Sequence, residues 1–180
     1  MKQITGLIWA SLWIGCGGGE RQEQAAAEGQ SQAAPRVAAC EVLSMAEVGE
    51  VIGTPVQRTE PREVADPSDS TRYMTACTYI AERGQALMTT TLMLRRSPEV
   101  RDPAAAFNDY VEGVRRETAT YSLEPVAEVG PGAGWHAETT TLWVFRPGWM
   151  VSLAIDKAAP APLEGAKQLT SKALERLPSS

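Results

Sequence analysis

Ala137-Glu138-Thr139-Thr140-Thr141-Leu142-Trp143-Val144-Phe145, then Arg146-Pro147-Gly148, then Trp149-Met150-Val151-Ser152-Leu153-Ala154-Ile155-Asp156 form the stretch on which the fold turns. Pro-Gly between two apolar runs marks a tight reversal. In the second arm Val151, Leu153 and Ile155 alternate with Ser152, Ala154 and Asp156, the period of a strand. The first arm is apolar at four consecutive positions, 142–145. Successive strand residues point to opposite faces, so near this turn both faces of a sheet require cover.

Working outward, Thr75–Ala81 and Ala86–Arg95 read as a second hairpin, turned at Glu82-Arg83-Gly84-Gln85. Between the hairpins, Asp102-Pro103 starts a helix: an aspartate cap, then a proline where no N–H is needed. Phe107, Tyr110, Val111 and Val114 give it an apolar stripe to about Glu117. Val126–Val129 reads as a short further strand, and Gly130-Pro131-Gly132-Ala133-Gly134 as a sharp turn. Before the first hairpin, Ser44 and Glu47 form a capping box with Leu43 and Val48 as its staple. Met45, Val48, Val51 and Ile52 then line one face of a two-turn helix closed by Gly53. A final helix runs from about Pro162 to Leu177, with Leu163, Ala166, Thr170, Ala173, Leu174 and Leu177 inward. Gln57–Arg72, polar and holding Pro61 and Pro67, reads as a long loop with at most an irregular edge strand. The expected class is α+β: one antiparallel sheet of about four to six strands, covered by three helices as a sandwich, with one disulfide.

The first residues have another character. Lys2 precedes eleven largely apolar residues, Ile4–Ile14, and then Gly15-Cys16. That is the pattern of a secretory signal peptide. Its helix would rise only about 16 Å, too little to span a bilayer core. Ile14-Gly15-Cys16 resembles the end of a bacterial lipobox, with Trp13 where that family has leucine. The resemblance implies a signal peptide over 1–15, with Cys16 as the lipidated first residue of a mature chain carrying acyl groups such as palmitate. Residues 16–39 follow as anchor and tether, with three glycines after the cysteine and many Ala and Gln. They hold too little apolar surface to offset chain entropy. The domain is expected over 40–180.

Three cysteines are present in all. With Cys16 set aside, Cys40 and Cys77 remain in an exported domain, where a disulfide is the default. Two thiols and one distant histidine cannot fill a tetrahedral metal site, so neither metal nor cofactor is implied. Seventeen Lys+Arg against 22 Asp+Glu give a formal charge of −5, and −6 once residues 1–15 and Lys2 are gone. A nucleic-acid partner would require a basic footprint that this chain lacks.

The opening Cys40-Glu41-Val42-Leu43-Ser44, Gly53-Thr54-Pro55, the Cys77-Thr78-Tyr79 strand, and Val129–Gly134 before a hairpin occur here in that order. Together they resemble a group of small bacterial lipoproteins of unassigned function. That resemblance implies an envelope domain with the antiparallel α/β sandwich of PsbP-like proteins, and supplies no catalytic residues.

For chemistry, His136 is the sole histidine, and His136-Ala137-Glu138 would place imidazole and carboxylate on one strand face. The glycine run lacks the order of a phosphate loop, since Pro131 removes an N–H and a strand follows. The aromatic concentration Trp135, Trp143, Phe145, Trp149 and Met150 is the candidate binding surface. The expectation is a non-enzymatic binding or assembly module in the bacterial cell envelope, facing periplasm or cell surface. It would be held to the membrane through Cys16 and would bind an envelope protein or an apolar ligand. The alternative is an extracytoplasmic hydrolase using His136 and Glu138.

Overall fold

The computed structural model describes residues 36–66 and 68–179. Two of its helices begin where side chains satisfy the free N–H groups of a first turn. In α2 (Met45–Ile52) Ser44 and Glu47 complete the capping box, and Gly53 closes the helix at φ 68°. The staple holds as well, with Leu43 and Val48 both buried. In α3 (Pro103–Glu117) the Asp102 carboxylate accepts from the N–H groups of Ala104 and Ala105. In α4 (Pro162–Arg176) a proline stands in the first turn with no side-chain cap. A single turn, α1 (Ala39–Val42), precedes them and brings the number of helices described to four rather than the expected three.

Seven strands form one antiparallel sheet, more than the expected four to six. They are β1 (Val56–Asp66), β2 (Asp69–Arg83), β3 (Ala86–Arg96), β4 (Glu124–Pro125), β5 (Ala133–His136), β6 (Thr141–Arg146) and β7 (Trp149–Ala154). Their spatial order is β1-β2-β3-β7-β6-β5-β4. The additional long strand is β1, drawn from the segment expected to be a loop with at most an irregular edge strand; it is an edge strand, 11 residues long, with register irregularities near both ends. Pro61 and the alternating charges are tolerated because β1 is an edge: it pairs with β2 alone, and its outer side makes no ladder bonds. Val126–Val129 is a turn rather than a strand, closed by Val129 N–H to the Val126 carbonyl at 3.2 Å. The strand lies just before it, at Glu124–Pro125.

Register assigns the faces. Cys77 lies opposite Leu92, Leu92 opposite Leu153, Leu153 opposite Leu142, and Leu142 opposite Trp135, so one apolar row crosses five strands. This face is covered by α1, α2 and α4, through Ala39, Val42, Val48, Ile52, Ala166, Leu169 and Ala173. Leu169, fully buried, belongs to the α4 stripe although the expected one omits it. Met45, expected inward, is 45% exposed, and Leu43 is the residue buried at that end of α2. The second face is covered in its β6–β7 half by α3, where Phe107 and Val111 meet Phe145 and Met150. Gly134 makes that approach possible, since a Cβ there would stand 2.6 Å from the Phe107 ring.

Two covalent or ionic ties fasten the helices. Cys40 in α1 is bonded to Cys77 in β2, with Cα atoms 4.9 Å apart and a sequence separation of 37. Glu47 of α2 receives both guanidinium nitrogens of Arg176 in α4, at 2.9 and 2.6 Å. The Arg176 hydrogen bonds, followed by the bond from the Ser44 N–H, hold the Glu47 carboxyl well below the ordinary carboxylate range. Residues 36–39, assigned by composition to the tether, are already packed: Val37 N–H donates to the Tyr73 hydroxyl and its carbonyl accepts from Thr75.

Closing a loop of that length removes unfolded-state entropy equivalent to about 4 kcal/mol. Cys77→Ser paired with Cys40→Ser is therefore expected to cost about 2–4 kcal/mol in urea unfolding, and an equal midpoint with and without reductant would contradict it. A group whose folded pKa is depressed stabilises above its unfolded pKa and loses that contribution as pH falls below it. Glu47→Gln is accordingly expected to lower Tm at neutral pH, with the gap to wild type closing as pH falls below about 4.3. A pH-independent gap would place the role of Glu47 elsewhere.

Candidate functional site

The five residues of the expected aromatic surface do not converge. Phe145 and Met150 are register partners and lie on the face under α3. Trp143, two residues before Phe145 on the same strand, joins them half-buried, its ring 5.1 Å from that of Tyr110. Trp135 and Trp149 belong to the main core on the other face. Trp149 is 1% exposed, its indole N–H reaching the Pro178 carbonyl at 3.3 Å and its ring meeting Tyr73 edge-on. Only Trp143 retains substantial solvent contact. The concentration of aromatic residues along the chain is thus two packed clusters divided by a sheet.

His136 ends β5 and Glu138 falls in the following turn, so strand alternation does not relate them. The imidazole is 6% exposed and stacks on Tyr121 with ring centroids 4.3 Å apart. Its Nδ1 accepts the Thr139 N–H at 3.3 Å and lies 2.7 Å from the Thr139 hydroxyl. That acceptance leaves the ring proton of the neutral form on Nε2. Glu138 is exposed. A cleft of about 50 Å³ beside the ring is lined by Thr120, Ser122, Glu124, Trp135, His136, Ala137 and Glu138. Among the described residues, no three His, Cys, Asp or Glu stand where they could hold a metal ion together.

Behind Tyr121 stands Tyr110, whose hydroxyl is pushed well above its ordinary range by burial and by its hydrogen bond with Tyr121. His136, Tyr121 and Tyr110 therefore act as packing partners that hold the segment after α3 against the sheet edge. The two arginine doublets of the sequence, Arg95-Arg96 and Arg115-Arg116, lie on different elements. Arg115 and Arg116 close α3, where cations suit the negative end of a helix. Arg95 is exposed on the second face, while Arg96 lies opposite Trp149 with its guanidinium 5.0 Å from that ring.

An open surface that sequence proximity does not reveal lies at the β1–β2–β3 side. A cleft of about 500 Å³ is lined by Val64, Ala65, Arg72, Tyr73, Met74, Arg95 and Arg96. Val64 is 46% exposed there. Its floor is apolar and its rim carries guanidinium groups, a combination suited to a ligand with an apolar body and an anionic head. The signal in sequence is the pairing of Val64 with Met74, and of Met74 with Arg95, legible only once three strands are in register. Cys40 and Cys77 stand bonded, as expected, while the signal peptide and Cys16 lie outside the described residues. Among the described residues no helix is long and apolar enough to cross a membrane. Comparison with known protein families, with curated proteins and with solved structures finds no match to this chain.

Truncating a fully buried tryptophan costs about 3–5 kcal/mol. Trp149→Ala is expected to unfold the domain by that amount in denaturant titration, whereas Trp143→Ala is expected to cost less than half as much. Equal costs would show that Trp143 is packed as tightly as Trp149.

Proposed function

We propose that this chain is a lipid-anchored protein of the bacterial cell envelope whose domain binds or helps assemble another component without catalysing a reaction. The observation that carries the proposal is the Cys40–Cys77 bond, which joins α1 to the sheet within a chain that opens with a short apolar segment ending at Cys16. Structural disulfides persist in oxidising compartments and are rare in the cytosol. Lipidation of Cys16 would leave about 20 residues between the anchor and Arg36, the first described residue, a span that can reach roughly 25 Å.

The binding role is supported by open surface without matching catalytic geometry. His136 is engaged by Thr139 and Tyr121 rather than by Glu138, and its burial fits a packing role better than that of a general base. The cleft of about 500 Å³ among Val64, Met74 and Arg95 is open to solvent, and suits an apolar or amphiphilic ligand.

Mass spectrometry of the chain purified from a bacterial membrane fraction tests the proposal. A mature N-terminus at Cys16 carrying acyl chains is expected, and Cys16→Ser is expected to move the protein out of the detergent phase. An unmodified Cys16 in a chain retaining residues 1–15 would overturn the reading.

A further inference from the structure

The β1–β2 turn, the end of β3 and the β6–β7 turn all lie at one end of the sheet. Arg36, the first described residue, lies at that same end, where it pairs with Glu63 and stands over the Tyr73 ring. The cleft with the apolar floor of Val64 and Met74 opens there too. Arg72 on its rim is neutralised by Asp69 and Glu99. Arg95, Arg96 and Arg101 are not: none of the three is paired with a carboxylate among the described residues. Arg95 and Arg101 are exposed, and Arg96 gives its hydrogen bond to the Gly148 carbonyl. The loop carrying Arg101 is pinned to the β6–β7 turn by hydrogen bonds between Ser97, Gly148 and Val100. A chain of net charge −5 thus presents unneutralised cations beside an open apolar cleft, at the end where Arg36 lies.

We infer that this end of the domain docks on an anionic lipid surface, with Arg95 and Arg101 at the headgroups and Val64 and Met74 at the acyl boundary. Arginines meet phosphate oxygens through paired N–H groups, and basic residues add their contributions at an anionic leaflet. Apolar side chains next to them deepen the contact at the interface. The inference deepens the proposed envelope role and rests on it for the identity of the surface: a tether of about 25 Å holds the domain within reach of the leaflet that bears the anchor. Docking would lay the sheet end-on to the membrane and turn the opposite end, with Glu82 and Lys157, toward other envelope components.

The test uses the chain from residue 16 to 180 with Cys16→Ser, so that no acyl group contributes. It is sedimented with vesicles of phosphatidylcholine, alone or with about one quarter phosphatidylglycerol. Binding to the anionic vesicles is expected at least about tenfold above that to phosphatidylcholine, and is expected to fall as salt rises. Arg95→Glu with Arg101→Glu is expected to remove at least about tenfold, and Arg95→Gln with Arg101→Gln a smaller part. Both pairs are exposed and without ionic partners, and near-UV circular dichroism verifies their fold. Lys157→Glu, at the far end, is expected to bind as the parent does. Equal binding to both vesicle types, full binding by the Arg95→Glu, Arg101→Glu chain, or an equal loss in Lys157→Glu would overturn the inference. Because the assay omits lipidation, its failure leaves the Cys16 experiment standing, and failure of that experiment leaves this surface to be judged alone.

Discussion

Everything in the domain depends on the pairing of β3 with β7, six residue pairs from Thr91 opposite Ala154 to Arg96 opposite Trp149. It joins a three-stranded half, β1–β3, to a half formed much later in the chain, β4–β7. The pairing puts Leu92 and Leu94 beside Leu153 and Val151, all without solvent exposure. Neither half alone offers a surface wide enough for α1, α2 and α4 to cover. The entropy of closing so long a connection is offset by this shared apolar row.

That closure also makes the two faces unequal. One is sealed by three helices and fastened by the Cys40–Cys77 bond and the Glu47–Arg176 pair. The other has α3 over β6 and β7, seated by the notch at Gly134, while the rows of β1 and β2, Ile80 apart, remain exposed or half-exposed. The open cleft is a consequence of this imbalance rather than of any local motif. It lies where a second helix on that face would be required to finish the sandwich, and among the described residues α3 alone covers that face. Arg95 and Met74 are solvated for the same reason that Leu94 and Thr75 are not: they point the other way from adjacent positions.

Local chemistry was readable where it decides structure by itself. Ser44 and Glu47 satisfy each other's neighbouring N–H groups whatever surrounds them, and Asp102 before Pro103 caps a helix in the same manner. The hairpin through Arg146-Pro147-Gly148 follows from alternation on both sides of a turn. Gln57–Arg72 misleads because an edge strand owes its conformation to its single partner, β2, and not to its own side chains. Val126–Val129 misleads in reverse: four residues rich in valine cannot remain extended when their carbonyls close a turn. Grouping Trp135, Trp143, Phe145, Trp149 and Met150 by nearness in the chain ignored parity, which sends neighbours to opposite faces.

By itself, then, the sequence determined the class of fold, the helix starts, the second hairpin and the cysteine pair, because caps, turns and alternation act over a few residues. The tertiary structure alone decided the order of seven strands, the division of the aromatic residues between two cores, and the site of the open arginine-rimmed cleft. These depend on which distant rows meet across a sheet. No window of neighbouring residues contains that information.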